Sequence, residues 1–176
     1  MLKHFFRLYI ILSCLVLQAQ DFSGLWEGHF SYYEIVDVSR GEDKIFAASE
    51  NAIFSYNFLT NEIETITTVQ GLSGELISTI KYSEEFDLLL VGYENGLIEI
   101  VFESEEDILS VVDILEKTTI SPEKKIINHF NENNGLVYIS TNYGISVYDL
   151  NRLEFGDSYF IGTFGTQIRV NQTTVY

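Results

Sequence analysis

The chain has 176 residues and 20.2 kDa, of which 46% are hydrophobic and 14% aromatic, with 12 Gly and one Pro. This composition excludes a disordered chain and a collagen-like one, and a single Cys excludes a disulfide scaffold and a Cys-based zinc site. Twenty-six acidic against ten basic side chains give a net charge of -16, which repels a phosphate backbone and excludes nucleic acid as a partner.

The N-terminus carries Lys3, His4 and Arg7 ahead of an apolar run, Leu8–Leu17, that is too short to span a bilayer and gives way to Gln18, Ala19 and Gln20. Residues 1–19 read as a secretory signal peptide cut near Ala19. Ile11-Leu12-Ser13-Cys14 loosely matches a lipoprotein box, but lipidation at Cys14 would leave Leu15, Val16 and Leu17 in the mature chain. The exported portion, 20–176, keeps 26 acidic and 8 basic side chains and is still more anionic.

Beyond the signal, short β-branched and aromatic runs recur between Gly, Asn, Ser and Asp clusters, an all-β pattern. The expected strands in chain order are Ile35–Ser39, a hairpin over Ile45–Tyr56, and Ile63–Thr68. Ile77–Tyr82, a hairpin over Leu89–Ile100 and Ile108–Asp113 follow. Then come Ile126–Phe130, a hairpin over Val137–Tyr148, and Tyr159–Ile161. The three hairpins align without gaps, their starts 44 and 48 residues apart. Four strands in a repeat of about 40 to 50 residues indicate β-propeller blades.

Each hairpin turns at an equivalent position, Ala52, Gly96 and Gly144, where positive φ suits Gly and makes Ala52 the exception. Four residues earlier stand the small Ala48, Gly92 and Ser140, which suit crowded blades. Ile108, Val111, Val112 and Leu115 also fit a helical stripe, so a strand followed by a helical turn is an alternative there. Ser121-Pro122-Glu123 has the form of a cap, first-turn Pro and acidic first turn, giving one or two turns before Lys125. Thr173-Thr174-Val175-Tyr176 resembles Asp43-Lys44-Ile45-Phe46 and reads as the start of a fourth blade. The expectation is therefore about three four-stranded blades and a stub, an incomplete propeller from a longer protein.

No catalytic, cofactor-binding or metal-ligating constellation emerges, and no ligand-binding residue can be assigned. His29 and His129 stand beside aromatics with neither Cys nor a second His at metal-ligand spacing, so both read as structural. Ser73 lacks the Gly-x-Ser-x-Gly setting of a nucleophile. The acidic runs Glu103-Ser104-Glu105-Glu106-Asp107 and Glu84, Glu85, Asp87 lack the spacing and Gly of a calcium loop and read as solvated hairpin loops. The basic pair Lys124 and Lys125 reads as a solvated surface, and the Asn171-Gln172-Thr173 sequon carries information only where eukaryotic glycosylation machinery reads it.

Thr68-Val69-Gln70-Gly71-Leu72-Ser73-Gly74-Glu75-Leu76 resembles the linker of two-component regulator propeller repeats, in which Gly-Leu-Ser opens a blade. Trp26, Phe30-Ser31-Tyr32, the Ile45–Ser55 segment, Val91-Gly92-Tyr93-Glu94-Asn95-Gly96-Leu97 and Ile127-Asn128-His129-Phe130 together resemble the N-terminal part of the PorZ-like β-propeller proteins of the type IX secretion system of Bacteroidetes. That resemblance implies a longer, non-catalytic protein with two propellers and a C-terminal secretion domain on the outer membrane. It also implies partners, namely the sortase PorU with PorV and PorQ, and anionic lipopolysaccharide delivered for cargo attachment. The alternative is the extracytoplasmic, glycan-sensing propeller of a hybrid two-component regulator, with an enzyme a distant third.

Overall fold

A computed structural model describes residues 34–104 and 107–175. The signal segment, Cys14, Trp26, His29, the Phe30-Ser31-Tyr32 motif, Glu105, Glu106 and Tyr176 lie outside the described residues.

Among the described residues, twelve strands form three antiparallel four-stranded sheets, each in simple sequential order. The first sheet holds β1 (Asp37–Arg40), β2 (Lys44–Ala48), β3 (Ile53–Asn57) and β4 (Ile63–Ile66). The second holds β5 (Ile77–Ser83), β6 (Leu88–Tyr93), β7 (Ile98–Phe102) and β8 (Asp107–Val111). The third holds β9 (Ile127–Asn133), β10 (Leu136–Thr141), β11 (Ile145–Asp149) and β12 (Glu154–Tyr159). These are propeller blades: β1 lies against β5 and β5 against β9, so the first strand of each sheet is the inner one.

Two apolar cores fill the gaps between successive blades. Phe46, Ala48 and Ile53 of the first blade pack on Ile77, Ile80, Leu89 and Val91 of the second. Leu90, Ile98 and Ile100 on its other face meet Ile127, Phe130, Val137 and Ile139 of the third. β6 is buried along its whole length because it is covered on both faces, which explains its unbroken Leu-Leu-Leu-Val run. The small residues sit where blades approach most closely. A Cβ on Gly92 would stand 2.8 Å from Ile127 Cγ2 and 2.9 Å from Phe130 Cζ, both on β9 of the next blade.

The hairpin turns differ from the gapless alignment in one respect. Ser49 closes its turn through N–H and hydroxyl donation to the Ala52 carbonyl, at 2.8 and 3.1 Å, and Thr141 does the same to Gly144, at 2.9 and 3.0 Å. Tyr93 occupies the equivalent place without a short hydroxyl. Its N–H reaches the Leu97 carbonyl instead, at 3.1 Å, across a turn one residue longer. Gly92 therefore pairs with Ile98, whereas Ala48 pairs with Ile53 and Ser140 with Ile145. One added residue turns every following side chain to the other face, and it directs Glu99 inward against the first blade. Gly96 and Gly144 adopt the expected positive φ, 92° and 149°, and Ala52 does not.

The last strand of the third blade corrects the expectation of Tyr159–Ile161. β12 runs over Glu154–Tyr159, because Asp149 Oδ1 accepts the N–H groups of Asn151 and Arg152 (2.9 and 3.3 Å) and Leu153 turns with φ 52°. Asn57 builds the same turn after β3, accepting from Leu59 and Thr60 at 2.8 and 3.1 Å. β8 stops at Val111 and a hydrogen-bonded turn follows, Glu116 N–H to Val112 carbonyl, so the strand-then-turn alternative holds. Pro122–Lys124 makes a single 3₁₀ turn, and the Ser121 hydroxyl bonds the Glu123 carboxylate rather than a backbone N–H. The segment leading into the expected fourth blade, 166–175, carries no strand of its own. It leans on the third blade through Val170 N–H to the Thr141 carbonyl, 2.9 Å.

Candidate functional site

Polar side chains, several of them not singled out in the sequence, join the seam between the first and second blades. At the inner seam, the Asp37 carboxylate on β1 accepts the Thr79 hydroxyl at 2.7 Å and the Ile80 N–H at 2.9 Å, both on β5. Ser39 Oγ accepts the Tyr82 N–H at 2.8 Å one step further along. These bonds tie the polar strand β1 to β5 of the next blade.

The middle of the same seam holds a buried carboxylate. Glu99 is 2% exposed, and its oxygens accept the Tyr93 hydroxyl and the Ser73 N–H, the latter at 3.1 Å. Ser73 thus acts through its backbone, fixing the Gly71-Leu72-Ser73 linker so that Leu72 is buried in the core. Burial, reinforced by the Glu99 hydrogen bond, pushes the Tyr93 phenol well above its usual range and keeps it protonated as the donor. The sequence reading missed Glu99 because the extra turn residue before it is invisible in an ungapped alignment.

At the outer end of this seam, Lys44 Nζ on β2 meets Glu103 Oε2 just after β7 at 2.7 Å. Burial alone would lower the Lys44 pKa, but the Glu103 bond and charge, with Glu64 and Asp87 nearby, raise it, so the ammonium stays charged. The acidic runs are therefore not purely solvated loops. Glu103 is an inter-blade ion partner, Glu84 accepts the Glu42 N–H at 2.9 Å, and Asp87 accepts the Tyr82 hydroxyl at 2.8 Å. Beside the ion pair lies a cavity of about 500 Å³, lined by Lys44, Glu64, Ile66, Val101, Phe102 and Ile108 among others.

The basic pair is also corrected. Lys125 is only 8% exposed, with its ammonium on the Leu115 carbonyl, while Lys124 bonds Gln167 at 2.8 Å. Both lysines brace the connection between the second and third blades. Among the described residues, no group of three or more His, Cys, Asp or Glu is placed to hold a metal ion.

His129 stands on β9 opposite Ser140, with its Nδ1 buried and unpartnered. Burial lowers its pKa, Asp37 opposes that shift and Lys81 adds to it. Below about pH 6.5 the unfolded chain takes up this proton more readily than the folded one. Stability is thus complete above that pH and is lost as pH falls through it toward the depressed folded value. Thermal unfolding between pH 7.5 and 5.5 should show a shallower decline in His129→Gln than in the unaltered chain; identical slopes would remove His129 from the pH response.

Residues 45–176 match the family described as the PorZ N-terminal β-propeller domain of the type IX secretion system. No curated protein matches the chain in sequence. Among solved structures, PorZ of Porphyromonas gingivalis, described as an essential bacterial surface component of that system, superimposes with a TM-score of 0.68 at 21% identity. The match covers 77% of this chain but only 18% of PorZ. The extracellular domain of the B. thetaiotaomicron hybrid two-component system BT4673 gives a TM-score of 0.58 at 15% identity, over 75% of this chain and 18% of that one. The computationally designed Ika4 protein gives 0.60 at 12% identity, over 90% and 89%. At these identities the structural likeness establishes the fold alone.

Proposed function

The chain belongs to the family of PorZ N-terminal β-propeller domains of the type IX secretion system, and from that premise we propose that it is a non-catalytic, extracytoplasmic component of this system. It acts at the cell surface by binding, within the complex that attaches secreted cargo through the sortase PorU with PorV and PorQ. The observation that carries this reading is the family match over 45–176, three quarters of the chain. The placement of its polar side chains agrees with it: Asp37, Lys44 and Glu103 join the first two blades and Glu99 holds the linker between them, which is scaffold chemistry.

Delivery of anionic lipopolysaccharide to the sortase is the finer part of the proposal. With a net charge of -16, this chain is a poor docking surface for a polyanion, since like charges repel within a Debye length of about 8 Å at physiological salt. The polyanion is held elsewhere in the assembly, and this chain supplies scaffold and protein contacts. Purified lipopolysaccharide should therefore fail to retain the exported chain at physiological salt, and tight retention would overturn this division of labour. The second reading, a glycan-sensing propeller of a hybrid regulator, draws on the likeness to BT4673. It predicts binding of neutral oligosaccharides, which the same assay reads.

A further inference from the structure

We propose that the open outer end of the seam between the first and second blades is a docking groove for an extended segment of a protein partner, one that presents a lysine or arginine next to aliphatic side chains. The inference rests on the chain being a binding module and not on the secretion role itself.

The two seams have different outer ends. Between the second and third blades, the connection leaving β8 runs over 112–126 and folds Ile114 and Ile120 into the gap, where both are buried. Between the first and second, the connection leaving β4 runs only over 67–76. It delivers Leu72 to the middle of the seam and leaves the outer end as the 500 Å³ cavity. Ile66, Val101, Phe102 and Ile108 give that cavity an apolar share of its lining, beside the polar Lys44 and Glu64.

Residues of β4, the outermost strand of its sheet, line the cavity, and among the described residues no strand pairs its outer edge of N–H and C=O groups. Its Ile63 is 69% exposed. A free edge beside an apolar trough is the arrangement that accepts a peptide as an added strand, with main-chain bonds giving affinity and alternate side chains filling the trough. Four residues of β4 offer about 13 Å of edge, the span of four extended residues at about 3.3 Å each.

Charge selects the segment. Lys44 is held by Glu103 at 2.7 Å, so Glu64, the other carboxylate of the groove, has no ion-pair partner among the described residues. A cation placed at Glu64 gains a partner without displacing the existing pair, while an anionic segment meets two carboxylates and a chain of charge -16.

The test uses the full exported chain and a fluorescein-labelled peptide, Thr-Lys-Thr-Ile-Thr-Val-Thr, which puts Lys, Ile and Val on one strand face. The control peptide has Glu in place of Lys. Fluorescence anisotropy should show the Lys peptide binding about tenfold or more tightly than the Glu peptide, and Glu64→Lys should reverse that order. If Glu64→Lys lowers the unfolding midpoint, Glu64→Gln takes its place and should abolish the preference. No binding of the Lys peptide, equal binding of both peptides, or a preference indifferent to position 64 would each overturn the proposal. A groove that fails this test alongside a normal secretion phenotype in the cell removes the groove alone, because the secretion role is read by cargo retention.

Discussion

Glu99→Ala should lower the stability of the chain by about 2–4 kcal/mol, among the largest effects of any single side-chain truncation outside the apolar cores. Truncation leaves the Tyr93 hydroxyl and the Ser73 N–H unpaired in a site only 2% exposed, and it releases the linker that carries Leu72 into the core. Glu99→Gln keeps an acceptor oxygen and should lose about 1 kcal/mol, the difference between a charged and a neutral hydrogen bond. Urea unfolding followed by circular dichroism separates the two variants. Equal losses would mean that Glu99 contributes packing rather than a buried hydrogen-bonded anchor.

Gly144→Ala should be comparably damaging, at about 2–5 kcal/mol, from positive-φ strain added to overpacking. The new Cβ would stand 2.2 Å from the carbonyl oxygen of Tyr159, a backbone atom that cannot step aside because Tyr159 closes the ladder opposite Ile145. The φ of 149° is already one that a residue with a Cβ rarely adopts. The reciprocal change, Ala52→Gly, should cost about 1–2 kcal/mol, since Ala52 has no positive φ to relieve, its fully buried methyl is lost and unfolded-state freedom is gained. A Gly144→Ala chain as stable as the parent would show that this turn relaxes without strain.

The propeller was readable from sequence because its signal is repetition. Three aligned hairpins with small residues at Ala48, Gly92 and Ser140 fix blade identity, spacing and the close approach of neighbouring sheets. What escaped has more than one cause, the first being a departure of the chain from its own repeat. The extra residue between Tyr93 and Ile98 reverses the facing of Glu99, and no composition or period reveals it. β12 begins earlier than the apolar pattern suggests because Glu154-Phe155-Gly156-Asp157-Ser158-Tyr159 is a mostly exposed outer strand with little apolar demand, positioned by a turn at Asp149. Lys125 reads as a surface cation until the fold brings the Leu115 carbonyl to it. Glu103 likewise sits in an acidic run that looks solvated, and only the meeting of two blades gives it Lys44. Residues that join blades have partners far away in sequence, so their roles become visible only once the blades are side by side.

The proposed role in the cell is tested most directly by deleting the gene in its native host and measuring how much type IX cargo stays attached to the cell surface. Membership in the PorZ N-terminal β-propeller family predicts that cargo is released to the medium and that re-expression of the gene restores attachment. Cargo retained at the parental level in the deletion strain would contradict a role in the secretion system.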